Sequence, residues 1–475
     1  MVLLAPEQRI ITGCCRGSSA RAGGLAERAR RRGTGVADAD ERGRRGHAAT
    51  AADRWGGSPG LIRAVHEVKL RSFIDKNRFL LVFAALSSVM GISVGVAKVT
   101  TTLYAMELRA NEALLGLIAG SQSVGVLLMS IPIGLLVDHL GPSRLFVLGS
   151  LVAGTIYMAL PAVPSPVFLL VCTTAISFFM PLRFVSLSTV FMQQLETVGE
   201  GKAGWYRGTH MVGMFLLGPM LAATLTKSLG FQGTYWLIGA SFLVTVFMSP
   251  IVFGRYAARS TPRRALRLSG VRSDLGLLAQ DIELRGVCMI EFAAQSVNSF
   301  FMFFIIPIGV AVAHLTAAEA SGLLAWQGVT YIFALFALGG LVGRVGHERI
   351  YLTSLVLVPS ALLLLGLSGE LNLLRAGGLI LGLGLGLLQI ANLTRIARIG
   401  ARVGRGKVAG LHALVGPSGG LFGSTVGGLV GKSLGLQSMF LLLSVLFGLL
   451  LALARRTSSA VAAAHPAPTE PAAAE

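Results

Sequence analysis

Long apolar runs without charge decide most of what this chain can be. Residues 79–97, 113–137, 145–163 and 232–253 are each broken by few or no charges. Each supplies the roughly 20 residues an α-helix needs to cross the hydrocarbon core of a bilayer. Open strands would leave backbone groups unpaired in lipid, and the runs lack the alternation of a barrel. Only 13% of the residues are charged, against about 25% in a soluble domain. Too little polar surface remains to cover a water-soluble globule. The expected class is an all-α membrane protein.

Twelve spans are predicted. The first six are 78–104, 112–137, 145–162, 165–194, 206–226 and 233–253. The second six are 286–313, 318–343, 350–368, 371–394, 408–430 and 435–454. This divides the chain into two six-helix halves, 78–253 and 286–454, joined by an Arg-rich linker, 254–285. Residues 1–77 form a basic, cytoplasmic N-terminal region whose Arg, Gly and Ala, without apolar periodicity, predict disorder. No apolar core and cleavage site follow the basic stretch, so it does not read as a secretory signal. Residues 455–475 form an Ala/Pro-rich tail, also predicted to be disordered.

The net charge of +19 would point to nucleic acid in a soluble protein. Here it gathers in the tails and in alternate loops, which is how a membrane protein sets its orientation, so no nucleic-acid partner is expected. Arg144, Lys202, Arg207, the central linker, Arg344, Arg349 and the run Arg395, Arg398, Arg402, Arg405 and Lys407 share one side. The opposite loops hold only Arg109, Lys227, Arg375 and Lys432. The first side is therefore read as cytoplasmic, with both termini on it, in an inner (plasma) membrane. The four cysteines, Cys14, Cys15, Cys172 and Cys288, have neither disulfide nor metal-site spacing. No catalytic residue, metal or cofactor is expected, and the chain is expected to act as a monomer.

The chain also repeats itself. Gly134-Leu-Leu-Val-Asp-His-Leu-Gly-Pro-Ser-Arg144 resembles Gly339-Gly-Leu-Val-Gly-Arg-Val-Gly-His-Glu-Arg349, 205 residues on. Lys227-Ser-Leu-Gly-Phe-Gln232 and Lys432-Ser-Leu-Gly-Leu-Gln437 stand at the same offset, as do Gln122 and Gln327. Such a duplication predicts two halves related by an axis along the membrane normal, with a cavity between them that rocking opens to either side.

The first of these segments is similar to the signature of the major facilitator superfamily, G-x-L-a-D-r-x-G-r-k, through Gly134, Asp138, Gly141 and Arg144. The degenerate copy at Gly339, Gly346 and Arg349 has Gly343 where the first has its acid. The resemblance implies the superfamily fold over residues 78–454 and a gating role for Asp138, latching the halves on the cytoplasmic side. Gly213 and Gly218-Pro219, followed by Ala222-Ala223, are similar to the helix-5 motif of proton-coupled exporters, with Ala where the family prefers Gly. General helix packing explains those small residues nearly as well. Arg183, in the fourth span, loosely matches an arginine that the family's drug exporters use in proton transfer or substrate binding.

Ionisable residues inside a membrane usually face a cavity and have a function. Lys98 lies in the outer third of the first span, where it either faces the cavity or snorkels outward. Glu291 is the clearest carboxylate in any span and a candidate proton carrier; Gln295 and Asn298 continue its stripe at helical spacing. Gln122 and Gln327 complete the candidate pathway, with plain helix-to-helix hydrogen bonds as their alternative. Two cations against one acid favour an anionic or zwitterionic small-molecule substrate. No G-x-x-x-x-G-K-[ST] loop is present, so an ion gradient, most often of protons, is expected to supply the energy. The expected function is proton-coupled export by alternating access. The alternatives are an organic-anion importer on the same scaffold and a non-transporting sensor or assembly factor.

Overall fold

The computed structural model describes residues 59–129, 132–198, 204–256, 281–338, 345–403 and 405–464. The expectations for residues 1–58, 257–280 and 465–475 lie outside them. The chain divides into two units between Arg78 and Phe79. In the first, residues 59–78 are the opening stretch of a helix; the second holds the bundle.

All regular structure among the described residues is helical. Helix α1 is Pro59–Glu107, α2 is Glu112–Met129 followed by the short Pro132–Leu140, α3 is Pro142–Ala159 and α4 is Pro166–Val198. Gly204–Met211, the wider π turn Val212–Leu217 and the first part of Gly218–Tyr256 make α5; the rest of that element is α6. The second half is α7 (Ile282–Ala311), α8 (Ala317–Ala337), α9 (His347–Leu367), α10 (Leu371–Val403), α11 (Arg405–Leu434) and α12 (Ser438–Ala464). Among the described residues, ten stretches are long and apolar enough to cross a membrane. One of these, Gly208–Gly254, is two spans, because Gly230 (φ 67°, ψ −178°) breaks it. The apolar stretch Ser438–Ala452 of α12 completes the twelve.

Several boundaries move. Helix α1 starts at Pro59 rather than 78, α10 runs to Val403 rather than 394, and α12 runs to Ala464 rather than 454. Residues 59–77 and 455–464, expected to be disordered, are therefore helical. Arg395, Arg398 and Arg402 lie on the last turns of α10 rather than in a loop. Hydropathy marks where lipid ends, whereas a helix continues while its backbone is paired, and Arg is a good helix former.

The duplication is written into the backbone. Every described residue with positive φ has a partner 205 residues away: Arg109 (53°) and His314 (51°), Gly141 (82°) and Gly346 (90°), Gly230 (67°) and Gly435 (84°). The helix pairs repeat as well. In the first half α2 packs on α4, and α3 on α4 and α6; in the second, α8 packs on α10, and α9 on α10 and α12. The halves meet where α2 packs on α11 and α5 on α8.

Small residues set these approaches, because van der Waals packing rather than water exclusion joins helices in lipid. A Cβ on Gly116 of α2 would stand 2.7 Å from Gly428 Cα of α11, and one on Gly218 of α5 would stand 2.6 Å from Gly95 Cα of α1. Pro219 has no N–H to return to Phe215, and its ring crowds that carbonyl. The preceding turn widens to the π form, with Gly218 N–H reaching Gly213 O.

Candidate functional site

A cavity of about 450 Å³ lies between the halves, lined by α1 to α5 on one side and α7, α8, α10 and α11 on the other. The two walls differ in chemistry. The first half contributes Lys98, Thr101, Gln122, Ser123, Thr173 and Ser177. The second contributes Glu291, Gln295, Asn298, Gln389 and His412. Both walls also carry apolar side chains, Met180, Met211, Met214 and Phe215 on the first and Met302 and Phe303 on the second. One wall thus carries a cation with one amide, and the other an acid with several amides; both carry hydroxyls, those of the second including Ser299 and Ser424.

Glu291 is 2% exposed. Its Oε1 accepts from Gln295 Nε2 at 2.9 Å, one helical turn on, and its Oε2 accepts from Asn392 Nδ2 of α10 at 2.8 Å. A buried carboxylate without such donors would be strongly unfavourable. Asn392 Oδ1 faces no partner among the described residues. Asn298 Oδ1 accepts from Gln327 Nε2 at 3.1 Å, so Gln327 stands behind Asn298 rather than on the cavity wall. Its counterpart Gln122 does reach the cavity, and its buried Nε2 has no partner among the described residues. Lys98 reaches the cavity too, and its ammonium pairs with no carboxylate among the described residues; the ion pairs there are those of Arg402 with Asp281 and Glu283.

Arg183 is elsewhere. It is fully buried in the first half, among α3, α4 and α6, and is not part of the cavity wall. Its guanidinium lies 3.8 Å from the Phe242 ring centre and 5.7 Å from that of Phe146, and Nη2 donates to Thr245 Oγ1 at 3.0 Å. Nε and Nη1 have no partner among the described residues.

Of the signature residues, Gly134 and Asp138 fall on Pro132–Leu140, Gly141 precedes α3, and Arg144 is exposed on its first turn. Gly346 and Arg349 occupy the corresponding places before and on α9. The Asp138 side chain, together with Gly339 and Gly343, lies outside the described residues. Gly213 and Gly218 sit where α5 crosses α1, and neither they nor Pro219 line the cavity. Sequence reasoning did not single out Asn392, Gln389 or His412. The signal was available, since Gln389 and Asn392 are polar residues one turn apart in a predicted span. No group of His, Cys, Asp and Glu that could hold a metal is found among the described residues.

A family profile described as Major Facilitator Superfamily matches residues 79–286 and again 287–474. No curated protein matches the chain significantly. Among solved structures, a point mutant of the nucleoside transporter NupG superposes with a TM-score of 0.67 at 13% identity, over 78% of this chain and 98% of that one. A POT family transporter in complex with 5-aminolevulinic acid gives 0.67 at 11% identity, over 81% and 96%. The human organic anion transporter MFSD10 gives 0.55 at 18% identity, over 80% and 99%. At these identities the likeness is one of fold.

Proposed function

Since the chain belongs to the Major Facilitator Superfamily, we propose that it is a proton-coupled exporter of a small organic anion or zwitterion, working by alternating access. The observation that carries this reading is the central cavity, with a lysine that pairs with no carboxylate among the described residues on one half and a hydrogen-bonded acid on the other. The solved relatives include a nucleoside transporter and an organic anion transporter, so the cargo is argued from the cavity rather than from the fold.

In this reading Glu291 is the proton carrier. Asn392 donates to it when it is ionised, and a turned-over Asn392 amide offers its otherwise unpartnered Oδ1 to the protonated acid. The one side chain thus offers a donor to the ionised acid and an acceptor to the protonated one. Asp138 is assigned the latch between the halves, and export rests on the α5 motif. The protein lies in an inner membrane as a monomer, with the faces bearing Arg144 and Arg349 and both termini in the cytoplasm.

The test is metabolite profiling of cells and medium with the intact protein, Glu291→Gln, Asp138→Asn and empty membranes. A compound that accumulates in the medium only with the intact protein, and no longer after a protonophore, is the expected result. Accumulation inside cells would reverse the direction, and efflux indifferent to the protonophore would remove the proton. No difference in any arm would favour a non-transporting sensor.

A further inference from the structure

The two charges of the cavity are too far apart to share a small ligand. The repeat places Glu291 at the level of residue 86 of α1, since the halves are offset by 205 residues. From there to Lys98 is twelve residues of helix, about 18 Å at 1.5 Å per residue. The same offset puts Phe303 at the position related to Lys98, and both line the cavity. At that level, therefore, one half offers a cation and the other an aromatic ring.

Among the described residues, Lys98 is the one Lys or Arg in the cavity lining. Both Glu291 oxygens are engaged by Gln295 and Asn392. A cation held out of bulk water without a partner is unfavourable, and an arriving anion relieves that. A second donor lines the same cavity at a similar depth. Gln122 is ten residues into α2 from Glu112, and Lys98 is nine residues back from Glu107 along α1, about 15 and 14 Å from the same ends. The buried, unpartnered Nε2 of Gln122 therefore lies at about the depth of Lys98. By contrast, the hydroxyls of Thr173 and Ser177 already donate to the carbonyls of Leu169 and Thr174. One cation plus one amide donor suits a single carboxylate. Beyond it, Met180, Met214, Met302, Phe215 and Phe303 offer polarisable, adaptable apolar contact.

Resting on the transporter reading above, we infer that the substrate class is a monocarboxylate with an apolar, aromatic-sized body, its carboxylate held by Lys98 and Gln122. A zwitterion of the same body is a poorer ligand, because no carboxylate among the described residues stands at that level and the Lys98 ammonium repels its own.

A matched series tests this: indole-3-acetate, tryptophan, tryptamine and 3-methylindole share one ring system and differ in charge, with acetate as the control lacking a body. Binding is read as ligand-induced thermal stabilisation of the purified full-length protein. Phenylacetate and 1-naphthylacetate series bracket the size. The expected result is that the carboxylate of at least one ring system binds tenfold or more tighter than its zwitterionic, cationic and neutral counterparts and than acetate. Lys98→Gln should abolish that preference and Lys98→Arg should keep it. Equal or better binding of tryptophan or tryptamine overturns the inference, as does carboxylate binding that survives Lys98→Gln, or no carboxylate binding in any series. The wild-type series decides the matter even if a variant fails to fold. Flux in proteoliposomes separates the two readings: binding without flux removes the transporter reading alone, and proton-driven flux of an amine alone removes the substrate class alone.

Discussion

Replacing Arg183 with Met tests whether this residue stabilises the fold or burdens it. The guanidinium gains from the Phe242 ring at 3.8 Å and the Phe146 ring at 5.7 Å, together about 2–3 kcal/mol for a desolvated cation. Its hydrogen bond to Thr245 at 3.0 Å adds about 1.5–3 kcal/mol. Against these stand two N–H groups without partners among the described residues, at about 1–3 kcal/mol each. The charge itself has no carboxylate beside it among the described residues, which costs several kcal/mol more. The balance is unfavourable by a few kcal/mol. Met keeps the apolar volume without the charge, so Arg183→Met is expected to raise stability by about 1–4 kcal/mol, the range seen when apolar residues replace buried ion groups. Denaturation of the purified protein in a fixed detergent reads this directly. Proteoliposome flux of the solute identified by profiling is expected to fall at least tenfold, because a costly intramembrane charge is kept for function. Destabilisation by about 2 kcal/mol or more would refute the reasoning and make Arg183 a structural clamp. A stabler variant with full flux would refute its place in the transport cycle.

Three further outcomes are expected. Gly116→Ala forces α2 from α11, because the new Cβ would stand 2.7 Å from Gly428 Cα. Overpacking of about 1–3 kcal/mol then favours the state in which that crossing is open by about 5- to 150-fold. Thiol labelling of Ser123→Cys from the Arg109 face should accelerate accordingly, and an unchanged rate would show that this crossing does not control access to the cavity from that side. Gly141→Ala and Gly346→Ala meet no neighbour within 4 Å, so only their φ of 82° and 90° opposes the change. Each should cost a similar amount, about 1–3 kcal/mol, in melting experiments; a markedly unequal pair would speak against equivalent turns. Asp281 caps α7 by accepting from Leu284 and Glu283 N–H, and it also meets Arg402 at 2.8 Å. The Leu284 N–H above all, with Arg402 assisting, holds its carboxyl below the usual range. Its contribution is therefore complete at neutral pH and is lost as pH falls through that lowered value. Asp281→Ala should cost about 1 kcal/mol at pH 7, with the gap to wild type closing in strong acid; a gap that widens there would contradict the sign.

The readable part of the fold came from terms that act locally. An uncharged run such as 145–163 must be helical in lipid, because no water pairs its backbone. The offset between Lys227 and Lys432 set the two halves, and positive φ at Gly230 and Gly435 answers it. Helix ends were less legible: α10 runs on through Arg398 and Arg402, where hydropathy falls but backbone pairing continues. The sequence by itself thus determined the class, the number of spans, the duplication and the small set of polar residues from which a site could be built. Tertiary structure decided which of them meet. Lys98 and Gln122 face the cavity, Gln327 stands behind Asn298, and Arg183 is turned into its own half. The reason is that lipid and helix interface are both apolar, so a span shows little of the polar-to-apolar contrast that betrays the facing of a soluble helix. Facing is fixed by close contacts such as Gly95 on Gly218 and Gly116 on Gly428. Those contacts pair residues far apart in the chain, and only the packed bundle brings them together.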